Sequence, residues 1–176
     1  NENFMDEFLA LVAKGVEHSY NEALEKKKAV MPELEAAKAF FSGNFEKKEA
    51  LSYAKAVADV VKELGGMPFL TDCNTLYPGS RKHALEHMDC ANINGFNTVT
   101  TGCQIIIADG LRGTDDIIVP VPNGEYCKEA YIGRAVMDAD IFISLTHFKG
   151  HEQAGFGGCI KNIGMGCGSR AGKMQQ

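Results

Sequence analysis

No two of the chain's six cysteines stand in C-x-x-C spacing, so the pattern that marks zinc and iron–sulfur sites is missing. With 176 residues, the chain is also too long and too poor in loops for a disulfide scaffold. Most of Cys73, Cys90, Cys103, Cys127, Cys159 and Cys167 are therefore expected to be reduced and semi-buried. Excess positive charge is missing too. The 18 Lys and Arg against 23 Asp and Glu leave a net charge of −5, which argues against general nucleic-acid binding. No apolar run approaches a membrane span, and the opening NENFMDEF is acidic where a leader would be basic. The expected setting is cytoplasmic, without membrane or nucleic-acid partners. Repeats, low-complexity linkers and any H-E-x-x-H motif are likewise absent, and no metal ligands are expected.

What remains fits one globular domain, with 45% hydrophobic and 23% charged residues. Residues 1–64 read as helical. Phe4, Phe8, Leu11 and Val12 share a face, and Lys26-Lys27-Lys28 mark a solvated one. Pro32 opens another helix that Ser42-Gly43-Asn44 breaks. Leu51, Ala54, Val57, Ala58, Val61 and Leu64 then define an amphipathic helix stopped by Gly65-Gly66. Beyond it, strands are expected at Met67–Leu70, Phe96–Thr100, Gln104–Ala108 and Asp140–Leu145, with helices from Ser80 to about Ile93 and at Arg134–Ala139. Ile117–Val121 and Tyr126–Ile132 flank Asn123-Gly124, a strong hairpin signal. DIFISL at 140–145 is apolar throughout and reads as a strand buried on both faces. The expected fold is α/β: a largely parallel sheet flanked by helices, with one β-hairpin and a helical N-terminal third.

In such a fold ligands collect beyond the carboxyl ends of the strands. Three polar loops leave those ends, at 72–75, 109–112 and 146–151, and they are expected to line one crevice. Asp72, Asn74, Asp109 and Arg112 are candidate ligand-orienting groups there, although Asp at a strand end also makes turns. The richest segment runs from Thr146 to Lys173 and holds eight of the nineteen glycines. Gly157-Gly158 would expose consecutive amides at a helix start, where a carboxylate or phosphate binds well. Lys149, His147 and Asn162 join the ligand-binding set. His151 and Lys161 are the candidate catalytic pair, since a histidine moves protons near neutrality and a lysine binds an anion or acts as a nucleophile. His83 and His87, four apart beside Arg81 and Lys82, read as a solvated helix face. The partner these residues imply is a small anionic molecule.

Three motifs in order, FLTDCNTLYPGSRKHALEH, IIIADGLRG and LTHFKGHEQAGFGGCIKNIGMGCGSRAGK, resemble the iron–sulfur-centre proteins of domain-of-unknown-function family 362, from Tyr53 to Gln176. The resemblance implies a ligand-binding domain of a redox protein with a redox partner. In that family a ferredoxin-like segment with two cubane clusters often follows. No such motif occurs here, so clusters are expected only on a segment outside this chain. The family's opening strand and its glycine-containing loop are not visible before the helix near residue 50. A shorter pattern, His151, Ala154, Gly155, Phe156, Gly158 and Lys161, looks like the active-site segment of nickel-pincer lactate racemases. That likeness implies proton transfer by His151, a covalent cofactor anchor at Lys161 and a nickel-type cofactor, whose ligating histidine would fall just beyond Gln176.

Overall fold

The computed structural model describes Lys14 and residues 44–147 and 149–175. The helices expected before residue 44 lie outside the described residues. Contacts sort the chain into two compact units, one holding residues 1–69 and 94–104, the other 70–93 and 105–176.

In the first unit, helix α1 (Asn44–Glu63) buries Ala54, Ala56, Ala58 and Val60. Its end is built as expected. Gly65 takes φ +84°, its N–H reaches Lys62 O, and the N–H of Gly66 reaches Val61 O. This paired closure satisfies carbonyls that the helix leaves open. Phe96–Thr100, expected as a strand, instead contains a one-turn helix, α3 (Thr98–Thr101). The Asn97 side chain accepts the N–H groups of Val99 and Thr100 at 3.0 and 3.1 Å, and Gly102 closes the turn at φ +75°. A side-chain cap and a left-handed glycine five residues apart outweigh the alternation of β-branched residues. Asn97→Ala should therefore destabilise this unit by about 1 kcal/mol in a denaturant titration.

The second unit carries the remaining elements. β1 (Phe69–Asp72) and β2 (Gln104–Ile107), whose first residues belong to the other unit, form the one parallel pair among the described residues. β3 (Asp116–Pro120) and β4 (Glu129–Gly133) form the expected hairpin, in register Asp116↔Gly133 to Pro120↔Glu129. The second strand begins three residues later than expected, at Glu129 rather than Tyr126. Gly124 has no positive φ, so the turn is not the two-residue type that Asn-Gly favours. Gly124 is needed instead because a side chain there would strike the Cys127 carbonyl. Helix α2 (Ala84–Ile93) starts four residues after Ser80, and α4 (Arg134–Met137) is short, as expected. A second hairpin, β5 (Lys149–His151) with β6 (Gly155–Gly157), leads into α5 (Cys159–Gly166). A 3-10 turn follows at Gly172–Met174.

Asp140–Leu145 is not a strand. Ile141, Phe142, Ile143 and Leu145 are 59%, 44%, 39% and 49% exposed. A strand apolar on both faces needs neighbours at its edges and cover above and below, and no described strand pairs with it. Among the described residues the architecture is accordingly mixed helix and strand in three two-stranded sheets, and a largely parallel sheet is not observed there. No described helix is long and apolar enough to cross a membrane.

Candidate functional site

The loops after β1 and β2 do come together, around a carboxylate. Asp109 is fully buried. Its oxygens accept the backbone N–H of Asn74 at 3.0 and 3.1 Å, the Asn74 side-chain amide at 2.9 Å and the Arg170 N–H at 2.9 Å. Asn74, also fully buried, donates its amide to the Gly110 carbonyl as well, while its own carbonyl accepts Lys173 Nζ at 2.8 Å. Arg170 Nε reaches the Thr75 carbonyl at 3.1 Å. Gly113 has φ +76°, and a side chain there would press on Arg170 and Asp109. A buried carboxylate needs this density of donors to stay in the interior. Asp109 and Asn74, read from the sequence as ligand-orienting groups, thus clip three segments of the chain together. Among the described residues, the Asn74 Oδ1 atom and the His87 Nδ1 atom are left buried without a partner. Arg112 is exposed beside them.

Asp72 closes the edge of this cluster. Its Oδ1 accepts the Cys73 N–H at 2.9 Å, and its Oδ2 lies 3.6 Å from both Arg81 and His87 Nε2. His87 is 4% exposed, which corrects the solvated-face reading of the sequence. Ala84, His87, Met88 and Ala91 recur at helical core spacing, and that period was the signal for its burial. Cys73 sits below, fully buried, with its thiol directed at the Cys167 carbonyl at 3.3 Å. Burial, reinforced by Asp109, pushes the Cys73 thiol up to about 12, and burial also raises Cys167. Both stay protonated at neutral pH.

The Thr146–Lys161 segment builds a separate surface. In β5 the side chains of Lys149 and His151 alternate onto one face, and their cross-strand partners are Gly157 and Gly155. A Cβ on Gly157 would lie 3.5 Å from Cδ of Lys161. The Lys161 side chain therefore leans back over the bare backbone of Gly157, toward the helix start, as helical side chains do. Gly158 is the N-cap of α5 in extended conformation, with no side chain to occupy the first amides. His151 Nδ1 accepts the N–H groups of Gln153 and Ala154 at 3.3 and 3.2 Å. The neutral ring then carries its proton on Nε2. Asn162 and Ser144 both bond Thr146 Oγ1, at 3.1 and 2.9 Å, which ties the segment before the hairpin to the helix. His147 is exposed. An open depression of about 380 Å³ is lined by Lys149, Gly150, His151, Glu152 and Gln153.

The expected common crevice is thus divided. The end of α5, not its start, reaches the first loop, where the Cys73 N–H meets the Gly166 carbonyl at 2.8 Å. There a second cavity, of about 230 Å³, is lined by Thr75, Leu76, Tyr77, Gly164, Met165 and Lys173. Lys173 went unnoticed in the sequence because nothing local distinguishes it. Among the described residues, no group of three or more His, Cys, Asp or Glu could hold a metal ion.

Neither a curated protein nor a solved structure matches this chain. One family model, described as Domain of unknown function (DUF362), matches residues 44–176. That stretch includes the Asp109 clip, both hairpins and α5, and it covers well over half of the sequence. The chain belongs to the DUF362 family.

Proposed function

We propose that this domain binds a small anionic molecule on the face shared by the β5–β6 hairpin and the start of α5. One observation carries the reading: Lys161 folds back across Gly157, on the hairpin face that also bears Lys149 and His151. Two ammonium groups and the imidazole Nε2–H supply charge and directed donors, and the first amides of α5 add the positive end of the helix dipole. Glu152 on the rim sets a limit on how much negative charge the site accepts. A carboxylate or a single phosphate suits this balance better than a polyphosphate.

The family resemblance adds an iron–sulfur redox role. The described cysteines do not fit a cluster. Cys73 and Cys167 are buried as protonated thiols, Cys127 and Cys159 are exposed, and no three potential ligands gather among the described residues. Within such a redox protein we therefore assign this domain to ligand binding. Iron and acid-labile sulfide analysis of the protein tests the redox role separately. The racemase-like alternative uses the same two residues, with His151 Nε2 as the proton-transfer atom and Lys161 as anchor. It would be marked by bound nickel and a mass adduct on Lys161.

The test of anion binding is calorimetric titration with inorganic phosphate and with acetate. A charge-assisted hydrogen bond is worth about 1.5–3 kcal/mol, so Lys161→Ala should weaken binding at least about tenfold, with a smaller loss for Lys149→Ala. Affinity should also fall as salt screens the exposed charges. Unchanged affinity in both variants, or no binding to the wild type, would remove the proposal.

A further inference from the structure

Lys161 of the cationic face and the α5 residues that wall the apolar cavity lie along one face of one helix. Lys161, Gly164 and Met165 stand at i, i+3 and i+4 on α5, the spacing that lines side chains up on a single face. At the N-terminal end of this stripe Lys161 leans over Gly157. Four residues on, a rise of about 6 Å, Met165 and Gly164 wall the second cavity together with Leu76 and Tyr77. The walls there are largely apolar, and both Met165 and Tyr77 stay partly exposed, at 44% and 53%. At Gly164 a side chain would meet nothing within 4 Å, so the helix presents open space where a larger residue would close the groove.

From this alignment we infer that the ligand is an organic acid with an apolar body, its carboxylate on Lys161 and Lys149 and its hydrocarbon part laid along Gly164 and Met165 into the cavity beside Tyr77. The inference rests on the anion site proposed above and names the class of molecule that fills it. A volume of about 230 Å³ is below the range of drug-sized pockets. At about 30 Å³ per water-sized group it holds on the order of eight such groups, which suits a short aliphatic or a single-ring aromatic body and excludes a nucleotide.

The experiment is a titration of acetate, butyrate, hexanoate and octanoate, with inorganic phosphate alongside, into wild type, Gly164→Leu and Met165→Ser. Wild-type affinity should rise about fourfold for each methylene that enters the groove. In Gly164→Leu that dependence should flatten while phosphate affinity stays within about twofold, because the new side chain fills the groove without touching Lys161. The variant should melt no lower than wild type, since leucine is a better helix former than glycine. Met165→Ser, a change at an already part-exposed side chain, should shallow the dependence without abolishing it. Equal affinity for all four acids with phosphate binding intact would overturn this inference and leave the anion site standing. Chain-length dependence that persists unchanged in Gly164→Leu would overturn the placement of the apolar body. Failure of wild type to bind either phosphate or any acid would remove both proposals.

Discussion

Asp109→Ala should lower the stability of the second unit by about 3–5 kcal/mol, the largest effect expected of any single substitution here. The carboxylate is fully buried and accepts from three donors, the Asn74 N–H, the Asn74 amide and the Arg170 N–H. Truncation leaves all three in the interior, and each unsatisfied buried donor costs about 1–3 kcal/mol before relaxation or water entry reduces the sum. Asp109→Asn keeps the shape but turns an amide donor toward donors, so it should also destabilise, by a smaller amount. Arg112→Ala, three residues away on an exposed side chain, should change stability by no more than about 0.5 kcal/mol. Urea denaturation of the three variants decides the matter. A loss below about 1 kcal/mol for Asp109→Ala would mean that the clip does not hold the loops together.

The second large effect is alkaline. Both the folded and the unfolded Cys73 thiols are protonated below about pH 9, the ordinary value for the group. Above that the unfolded thiol ionises, while burial and then Asp109 hold the folded one up to about 12. The unfolded state then binds fewer protons than the native state, so stability falls as pH rises through this window. The ceiling on the loss is about 4 kcal/mol, at about 1.4 kcal/mol per pH unit. Cys167, also raised by burial and then by Asp72, adds a contribution of the same sign. Cys73→Ala should flatten the decline of stability between pH 9 and 11 relative to wild type, which denaturant midpoints measured across that range would show. The same chemistry predicts that iodoacetamide labels exposed Cys127 and Cys159 well before Cys73. A wild-type stability curve that stays flat to pH 11 would contradict the burial argument.

Local signals carried much of this protein. The apolar period from Leu51 to Leu64 with Gly65-Gly66 behind it specified α1 and its end, because a helix face and its C-terminal glycine are written within one stretch of chain. Asn123-Gly124 between two strand-length runs likewise predicted the β3–β4 hairpin, and Gly157-Gly158 predicted the start of α5. The fold-back of Lys161 was legible for the same reason, since it follows Gly157 by only four residues across the helix start. The short helix at Thr98–Thr101 was legible in principle through Asn97 and Gly102, but two competing local patterns overlapped there.

Tertiary structure decided the rest, where the energy of a residue depends on what lies across space. Asp109 looks in the sequence like any polar residue at a strand end. Only the arrival of Asn74 and of Arg170, distant in the chain, turns it from a solvent-facing group into a buried acceptor. His87 gained its charged partner in the same way, through Asp72 at the end of β1, and Lys173 gained a role from the Asn74 backbone carbonyl. DIFISL shows the converse. Its apolar residues describe a strand that would be stable inside a sheet, yet strand formation needs hydrogen-bonding neighbours that the segment cannot supply for itself. The division of the expected crevice into a cationic hairpin face and an apolar cavity at opposite ends of α5 also belongs to the assembled fold, because it depends on which end of that helix meets the loop after β1.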